Sequence, residues 1–135
     1  MTTSRPRGIS RQRNYRQAYD FASVSADTTT KIDGIKSRSV RVTRAWLSCP
    51  TGVVANASNF VTFKVIKGAS TVIASWSTST VGQGTITANT PVELVVTATV
   101  ADRFLADADV VSFFVDVTGT ITVPLGRIVV EGIEL

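Results

Sequence analysis

Arginines near the N-terminus are the densest group of side chains in this chain that are able to bind a charged partner. They are Arg5, Arg7, Arg11, Arg13 and Arg16. A guanidinium is always charged, and it binds phosphates or carboxylates, often through two parallel hydrogen bonds. Residues 1–17 contain no acid and only Ile9 and Tyr15 as large apolar side chains. Because such a stretch cannot bury enough apolar surface to order itself, we predict an extended basic arm.

Three interpretations of this arm remain open. The arginines could neutralise the phosphates of a nucleic acid, with Tyr15 stacked on a base. They could instead lie across an acidic protein surface, with Tyr15, Tyr19 and Phe21 filling apolar grooves, or the arm could serve only as a solubilising tail. For the protein-binding interpretation, the predicted contact residues are Arg5, Arg7, Arg11, Arg13, Tyr15, Arg16, Tyr19 and Phe21. Residues 1 to 20 should then be disordered in the free protein, and their deletion should leave the rest folded.

The chain offers little for catalysis. It has no His, and its one Cys, Cys49, lies on the predicted inward side of a strand, which favours an inert buried thiol. Gly82 and Gly84 are followed by neither a Lys nor a helix, so they do not form a phosphate-binding loop. We therefore predict a protein that is not an enzyme and that needs no cofactor.

One acidic cluster has the residue types of a metal site. Asp102, Asp107 and Asp109 place three carboxylates within eight residues, and Ca²⁺ takes oxygen ligands of this kind from loops. No glycine-pinned loop spaces these ligands, however. The competing interpretation is that the three acids solvate a turn and keep a sheet edge from pairing with other chains. We predict no metal, with these three residues as the only candidates.

Charge is divided unevenly along the chain. Residues 1–44 hold ten Lys and Arg against three acids, a balance of +7, whereas residues 45–135 hold four against seven, a balance of −3. The two together give the net charge of +4. The basic character therefore belongs to the N-terminal third, which is typical of an arm that binds an acidic partner.

The composition favours strands throughout. The chain has 20 Val and 19 Thr, and these β-branched residues disfavour long helices. From Val110 to Thr118, apolar residues recur at every second position, which predicts a central strand with one buried face. Other strands are predicted at 37–49, 60–67, 71–77, 92–98, 119–123 and 127–135, with residues 26–34 as a loop. The apolar phase changes near Arg44 and predicts a β-bulge there.

These elements predict an all-β, jelly-roll-like antiparallel β-sandwich with an extended N-terminal arm. The arm covers residues 1–36 and the body residues 37–135. Trp46 and Trp76 each fall on an alternating strand and are predicted core or subunit contacts. The N-terminus lacks the apolar segment of a secretory signal, and the uncharged run 68–92 is too rich in Ser, Thr and Gly to span a membrane. We expect a soluble protein made in a reducing cytoplasm.

The layout of the body resembles the small β-sandwich proteins of tailed-bacteriophage heads, in particular the decoration or cement proteins. The resemblance covers about 100 residues and rests on the order of segments VRVTRAWLSCPTG, SNFVTFKVIKGASTVIASW, PVELVVTATV, LADADVVSFFVDVTG and IVVEGIEL. Ala108-Asp109 stands where that group often has Gly-Asp before the central strand.

The resemblance implies a structural protein on the outside of a virion. Such a protein is made in the host cytoplasm, binds the major capsid protein through its arm, stabilises the capsid and forms homo-oligomers, with a trimer favoured. Two other functions remain open: a nucleic-acid-binding module that uses the arm, and a receptor-binding component of the tail. The mildly acidic body favours the capsid function over the nucleic-acid one.

Overall fold

A computed structural model describes residues 13–33 and 38–135 of the chain. Nearly all of its regular structure is antiparallel β-strand, as the composition predicted, with one four-residue helix. The elements in chain order are β1 (Arg13–Phe21), β2 (Thr28–Asp33), β3 (Val40–Ser48), β4 (Phe60–Lys67), β5 (Thr71–Ser77), β6 (Val92–Glu93), β7 (Val95–Val96), α1 (Val100–Arg103), β8 (Phe104–Leu105), β9 (Val111–Thr118) and β10 (Gly126–Glu134).

The strands form two sheets that pack face to face. Sheet I has the order β1-β10-β3-β6, with β8 also paired to β3, and sheet II has the order β2-β9-β4-β5-β7. The main pairs are nested along the chain: β1 with β10, β2 with β9, β3 with β6, and β4 with β5. Nested antiparallel pairs split between two sheets are the wrapping of a jelly roll, so the predicted jelly-roll-like sandwich is confirmed.

The core lies between the sheets and is centred on three phenylalanines from three strands. Phe21 of β1, Phe63 of β4 and Phe113 of β9 are each at most 5 % exposed. Their ring centroids are 4.9 Å (Phe21–Phe113), 5.7 Å (Phe21–Phe63) and 5.9 Å (Phe63–Phe113) apart. These distances fall in the range in which aromatic pairs attract one another beyond their apolar area. These contacts thus join β1 of sheet I to β4 and β9 of sheet II.

The predicted central strand is confirmed as β9. It pairs with β2 on one side and β4 on the other, and Val111, Phe113 and Val115 are buried on its inner face. On the outer face Asp116 accepts a hydrogen bond from the Lys64 ammonium, at 3.0 Å. That ammonium also lies 5.4 Å from the ring centre of Phe114. The mixed outer face of β9 is therefore partly covered by its neighbour β4.

The β-bulge predicted near Arg44 is also confirmed. Glu131 of β10 lies opposite Arg44, but the next residue, Gly132, lies opposite Val42, so Thr43 is an extra residue in β3. The extra residue reverses the alternation of the strand. As a result Val40 and Val42 before it, and Ala45, Leu47 and Cys49 after it, all face the core.

Residues 13–33 belong to the body, which corrects the predicted boundary between an arm of residues 1–36 and a body of residues 37–135. β1 pairs over its whole length with β10, and β2 pairs with β9, where a loop was predicted at 26–34. Each strand is held by a partner about 100 residues away in the chain, and such long-range pairing is invisible in local composition. Residues 1–12 and 34–37 lie outside the described residues.

Two smaller predictions also need correction, and β5 contains a register shift. The segment 92–98 is not one strand: β6 pairs in sheet I and β7 in sheet II, so the chain crosses between sheets at Leu94. The segment 119–123 forms only an isolated bridge, between Val123 and Val24. In β5, a register shift makes Ile73 rather than Val72 the core residue, because Val72 lies opposite the outward-facing Ile66.

Candidate interaction surface

The predicted arm residues fall into three groups. Arg5, Arg7 and Arg11 lie outside the described residues. Arg13 and Arg16 are exposed on β1, as expected of residues that meet a partner. The aromatic residues, however, do not reach a partner: Tyr15 and Phe21 are each 5 % exposed in the core, and Tyr19 packs against it. They occupy odd-numbered positions of a strand whose odd face points inward, and this period of two was the signal that could have revealed β1.

Tyr15 links the two sheets where their edge strands β1 and β2 lie close together. Its hydroxyl donates a hydrogen bond to the Asp33 carboxylate of β2, at 2.6 Å. Burial raises the pKa of the Tyr15 hydroxyl far above its ordinary value of 10.0, and the bond to Asp33 and its charge raise it further. The contact links β1 of sheet I with β2 of sheet II, which no backbone ladder joins. Tyr15 is therefore a structural residue of the sandwich.

A row of alternating charges crosses the outer face of sheet I, and we call it the charge ladder. Its members, one from each of β1, β10, β3 and β6, are Arg16, Glu131, Arg44 and Glu93. Arg16 lies 3.6 Å from a carboxylate oxygen of Glu131, whose other oxygen is 3.3 Å from Arg44. Arg44 also donates to Glu93, and this hydrogen bond, more than the other nearby charges, raises the pKa of Arg44.

Trp46 lies beneath this ladder rather than in the core. The bulge at Thr43 turns its side chain to the outer face, and the Arg44 guanidinium lies 5.7 Å from its ring centre. Its neighbour across the sheet, Val129, is fully buried although it is also on the outer face. Trp76, by contrast, packs against the core and donates its indole N–H to the Gly84 carbonyl at 3.1 Å. One predicted core tryptophan is thus internal, and the other builds the outer surface.

A second ion pair lies near the end of β1. Arg127 donates to both carboxylate oxygens of Asp20, at 2.7 and 3.2 Å. The hydrogen bond from Arg127 holds the pKa of the Asp20 carboxyl below its usual range. Beside the pair lies an open cleft of about 630 Å³, lined by Asp20, Phe21, Ala22, Ser48, Pro50, Leu125, Gly126 and Arg127. The charged groups of this cleft bind each other.

The structure does not bring Asp102, Asp107 and Asp109 together. No three His, Cys, Asp or Glu side chains within residues 13–33 and 38–135 come together to hold an ion. Asp109 closes its own turn instead: its carboxylate accepts the backbone N–H of Ala106 at 2.8 Å, and its N–H donates to the Ala106 carbonyl at 3.0 Å. This supports the interpretation of Asp107 and Asp109 as turn residues between β8 and β9, whereas Asp102 lies in α1.

Cys49 is buried, as predicted, with no exposed surface. Burial raises the pKa of its thiol to about 11, since the thiolate is poorly solvated there. A thiol in that state is a poor nucleophile at neutral pH.

The charges of the described residues cancel. Residues 13–33 and 38–135 carry ten Lys and Arg and ten Asp and Glu. The whole net charge of +4 therefore resides in two segments: three charges on Arg5, Arg7 and Arg11, and one on Lys36. This division is sharper than the sequence analysis indicated, because β1 and β2 bring their acids and bases into the body.

The chain matches no protein-family model, and no curated protein matches it. Among the described residues, no helix has the length and apolar character needed to cross a membrane.

Proposed function

We propose that the protein is a structural virion protein that decorates and stabilises a bacteriophage capsid on its exterior by binding the major capsid protein. The observation that carries the proposal is a neutral jelly-roll body with the whole net charge outside its described strands. Jelly rolls recur in viral capsid proteins, and also in lectin domains and cupins, so the fold supports the proposal by analogy.

The charge division determines how the protein would be held. Most cations on the outer face of sheet I are engaged by carboxylates of the same molecule, as the charge ladder and the Asp20–Arg127 pair illustrate. We infer that the arginines of residues 1–12 bind the partner, because that segment contains no acid. Acidic groups on neighbouring capsid subunits would bind them, and several weak contacts on each copy of an oligomer would add up by avidity.

The position of Arg13, which directly follows this segment in the chain, also suits attachment. Arg13, the first residue of β1, lies opposite Glu134, near the C-terminus, and Glu134 lies opposite Val40. Arg38 and Arg41 lie near Val40 in the chain and are at least partly exposed, and the Arg38 guanidinium lies 4.0 Å from the Glu134 carboxylate. One end of sheet I therefore carries the start of the basic segment, and we propose that this end faces the capsid, with residues 1–12 rather than Arg38 and Arg41 as the anchor.

The function can be tested by co-sedimentation with capsid shells that lack the genome. The full-length protein is mixed with purified shells, pelleted through a cushion, and quantified in the pellet as copies per shell. We expect saturable binding at a fixed stoichiometry, and binding should weaken as salt is added. An absence of binding at every protein concentration and at low salt would contradict the proposal.

One observation keeps a nucleic-acid function as the second candidate: positive charge is concentrated in residues 1–12, which contain no acid. Three arginines in residues 1–12 could neutralise about three phosphates, which predicts a log–log salt slope of about −2 to −3. Fluorescence anisotropy with a labelled single-stranded oligonucleotide measures this slope directly. Oligonucleotide binding that survives moderate salt, combined with no binding to shells, would favour this second function.

A further inference from the structure

β1 differs from the other strands at the edges of the two sheets. The opposite edge of sheet I consists of β6 and β8, which have two residues each, and sheet II ends with the two-residue β7. The other edge of sheet II is β2, whose register shifts between Lys31 and Asp33. Short or irregular edges are the usual means by which sheets avoid pairing with other chains. β1 has nine residues, an unbroken register with β10 and, within the described residues, no second partner strand.

We propose that β1 pairs with the β1 strand of a second copy of this chain, in antiparallel fashion, about a two-fold axis through Ala18. The two copies of sheet I would then form one continuous sheet. The same surface patch serves on both molecules, as in any two-fold contact. This contact gives a dimer rather than the trimer that the resemblance implies.

The charges on β1 select this register. The exposed outer face of β1 carries Asn14, Arg16, Ala18 and Asp20. A two-fold axis through Ala18 places Arg16 of each copy directly opposite Asp20 of the other, and the two small Ala18 side chains face each other at the centre. An axis through Arg16 or through Asp20 would instead oppose like charges, which is destabilising across a ladder. An axis through Gln17 or Tyr19 pairs neither charge with its opposite.

The charge ladder continues through the proposed contact without a break in sign. Within one copy it runs from Glu93 through Arg44 and Glu131 to Arg16 at the edge. Across the contact Arg16 meets Asp20 of the second copy, which is already bound to Arg127 of that copy, as it is in each molecule. The ladder of each molecule thus ends at the β1 edge in the positive charge of Arg16. Four residues further along the same strand, Asp20 supplies the negative charge that Arg16 of the second copy requires. From this charge complementarity we infer that the partner of the β1 edge is a second copy of the same chain.

Charge reversal on the isolated full-length protein tests the inference. Sedimentation velocity over a range of concentrations should show a monomer–dimer equilibrium for the unmodified protein. Arg16→Asp opposes two acids across the axis, and Asp20→Arg opposes two bases, so each variant alone should dimerise roughly tenfold more weakly or worse. An equimolar mixture of the two variants should regain dimers, because each now supplies the charge that the other needs.

Glu93→Arg is the matched control. It reverses a charge at the far end of the same ladder and creates a similar conflict within the molecule, next to Arg44, but it lies away from the axis. It should leave the dimer constant unchanged, and circular dichroism of all variants checks that each remains folded. A monomer at all concentrations would overturn the inference. So would an oligomer that neither single reversal weakens, or a mixture that dimerises no better than its components.

The outcome is independent of the proposed function, since no capsid enters the experiment. Failure of self-pairing with intact shell binding would reject only the β1 contact. Failure of shell binding with intact self-pairing would reject only the capsid function.

Discussion

Tyr15 shows at the scale of one residue how a side chain predicted to bind a partner instead stabilises its own fold. Its ring is 5 % exposed and its hydroxyl bonds to Asp33 across the two sheets. The neutral hydroxyl is the form that fits this site. Above pH 10 the unfolded chain loses the Tyr15 proton while the folded chain keeps it, so ionisation favours unfolding. The stabilising effect is fully present below pH 10 and declines as the pH rises beyond it.

We predict that Tyr15→Phe lowers the free energy of unfolding at neutral pH by about 1–3 kcal/mol, because a hydrogen bond to a charged acceptor is lost. The variant should also lose less stability than the unmodified protein between pH 9 and pH 11. Urea unfolding at several pH values measures both effects, with Tyr19→Phe as the control for loss of a hydroxyl on the same strand. Equal alkaline loss in Tyr15→Phe and the unmodified protein would show that Tyr15 does not carry this dependence.

Cys49 should be inert in the folded protein. Its side chain is buried and the pKa of its thiol is raised to about 11, so little thiolate exists at pH 8 and little of it is accessible. We predict that a colorimetric disulfide reagent reacts slowly with the native protein and rapidly in guanidinium chloride. A Cys49→Ser, Thr29→Cys variant, whose thiol lies at an exposed position of β2, is the positive control. Native Cys49 that reacts as fast as this control would contradict the buried placement.

At the scale of elements, the strands that could be predicted are those whose own sequence alternates between apolar and other residues. β4 and β5 have the bounds read from the sequence, 60–67 and 71–77, and β9 begins one residue later than predicted. Each has an uninterrupted apolar alternation between turn residues. The bulge in β3 was predictable for the same reason, because the alternation itself changes phase.

β1 and β2 were missed because their signal is mixed with charge. Arg13, Arg16 and Asp20 interleave with the inward aromatic residues of β1, and β2 presents Thr, Lys and Asp. The stability of these strands comes from β10 and β9, which follow about 100 residues later. The prediction of the candidate site was incomplete for the same reason. The arginines were recognised as a group, but local composition could not reveal which of them belong to a strand.

Truncation separates the basic segment from β1. We predict that deletion of residues 1–12 leaves the melting temperature within a few degrees, because no described strand is removed. Deletion of residues 1–21 should abolish cooperative unfolding, since it removes β1, Phe21 of the aromatic core and the Tyr15–Asp33 bond. Thermal melts followed by circular dichroism measure both. A folded, cooperative protein after deletion of residues 1–21 would show that β1 is not part of the body.

Gly132 of β10 lies beside the β-bulge of β3, where the two strands leave no room for a side chain. A Cβ at this position would collide with the Arg41 carbonyl oxygen across the strand pair. We predict that Gly132→Ala lowers the free energy of unfolding by about 1–3 kcal/mol, the usual effect of overpacking. Thr43→Ala, which changes the exposed side chain of the extra residue, should cost only about 0.5 kcal/mol. Denaturant titration of both variants checks the order, and equal effects would contradict the crowding at Gly132.

At the scale of the whole molecule, the separation of charge decides which surfaces respond to salt. The described body is neutral, and its ion pairs are at least partly exposed, so added salt should change its stability little. Binding through residues 1–12 should be salt-sensitive, because this segment carries three arginines and no acid. The stability of the body and binding through residues 1–12 can therefore vary independently. A variant that weakens binding should do so without unfolding the body.

The most direct test of the central claim compares two triple variants in shell binding. Arg5→Ser, Arg7→Ser, Arg11→Ser removes three charges from the N-terminal segment, and Lys31→Ser, Arg38→Ser, Arg41→Ser removes three from the same end of the body. Co-sedimentation with genome-free shells at low salt should show at least a tenfold loss of affinity for the first variant and a much smaller loss for the second. Equal binding by the N-terminal variant and the unmodified protein would contradict the claim that residues 1–12 anchor the protein to a capsid.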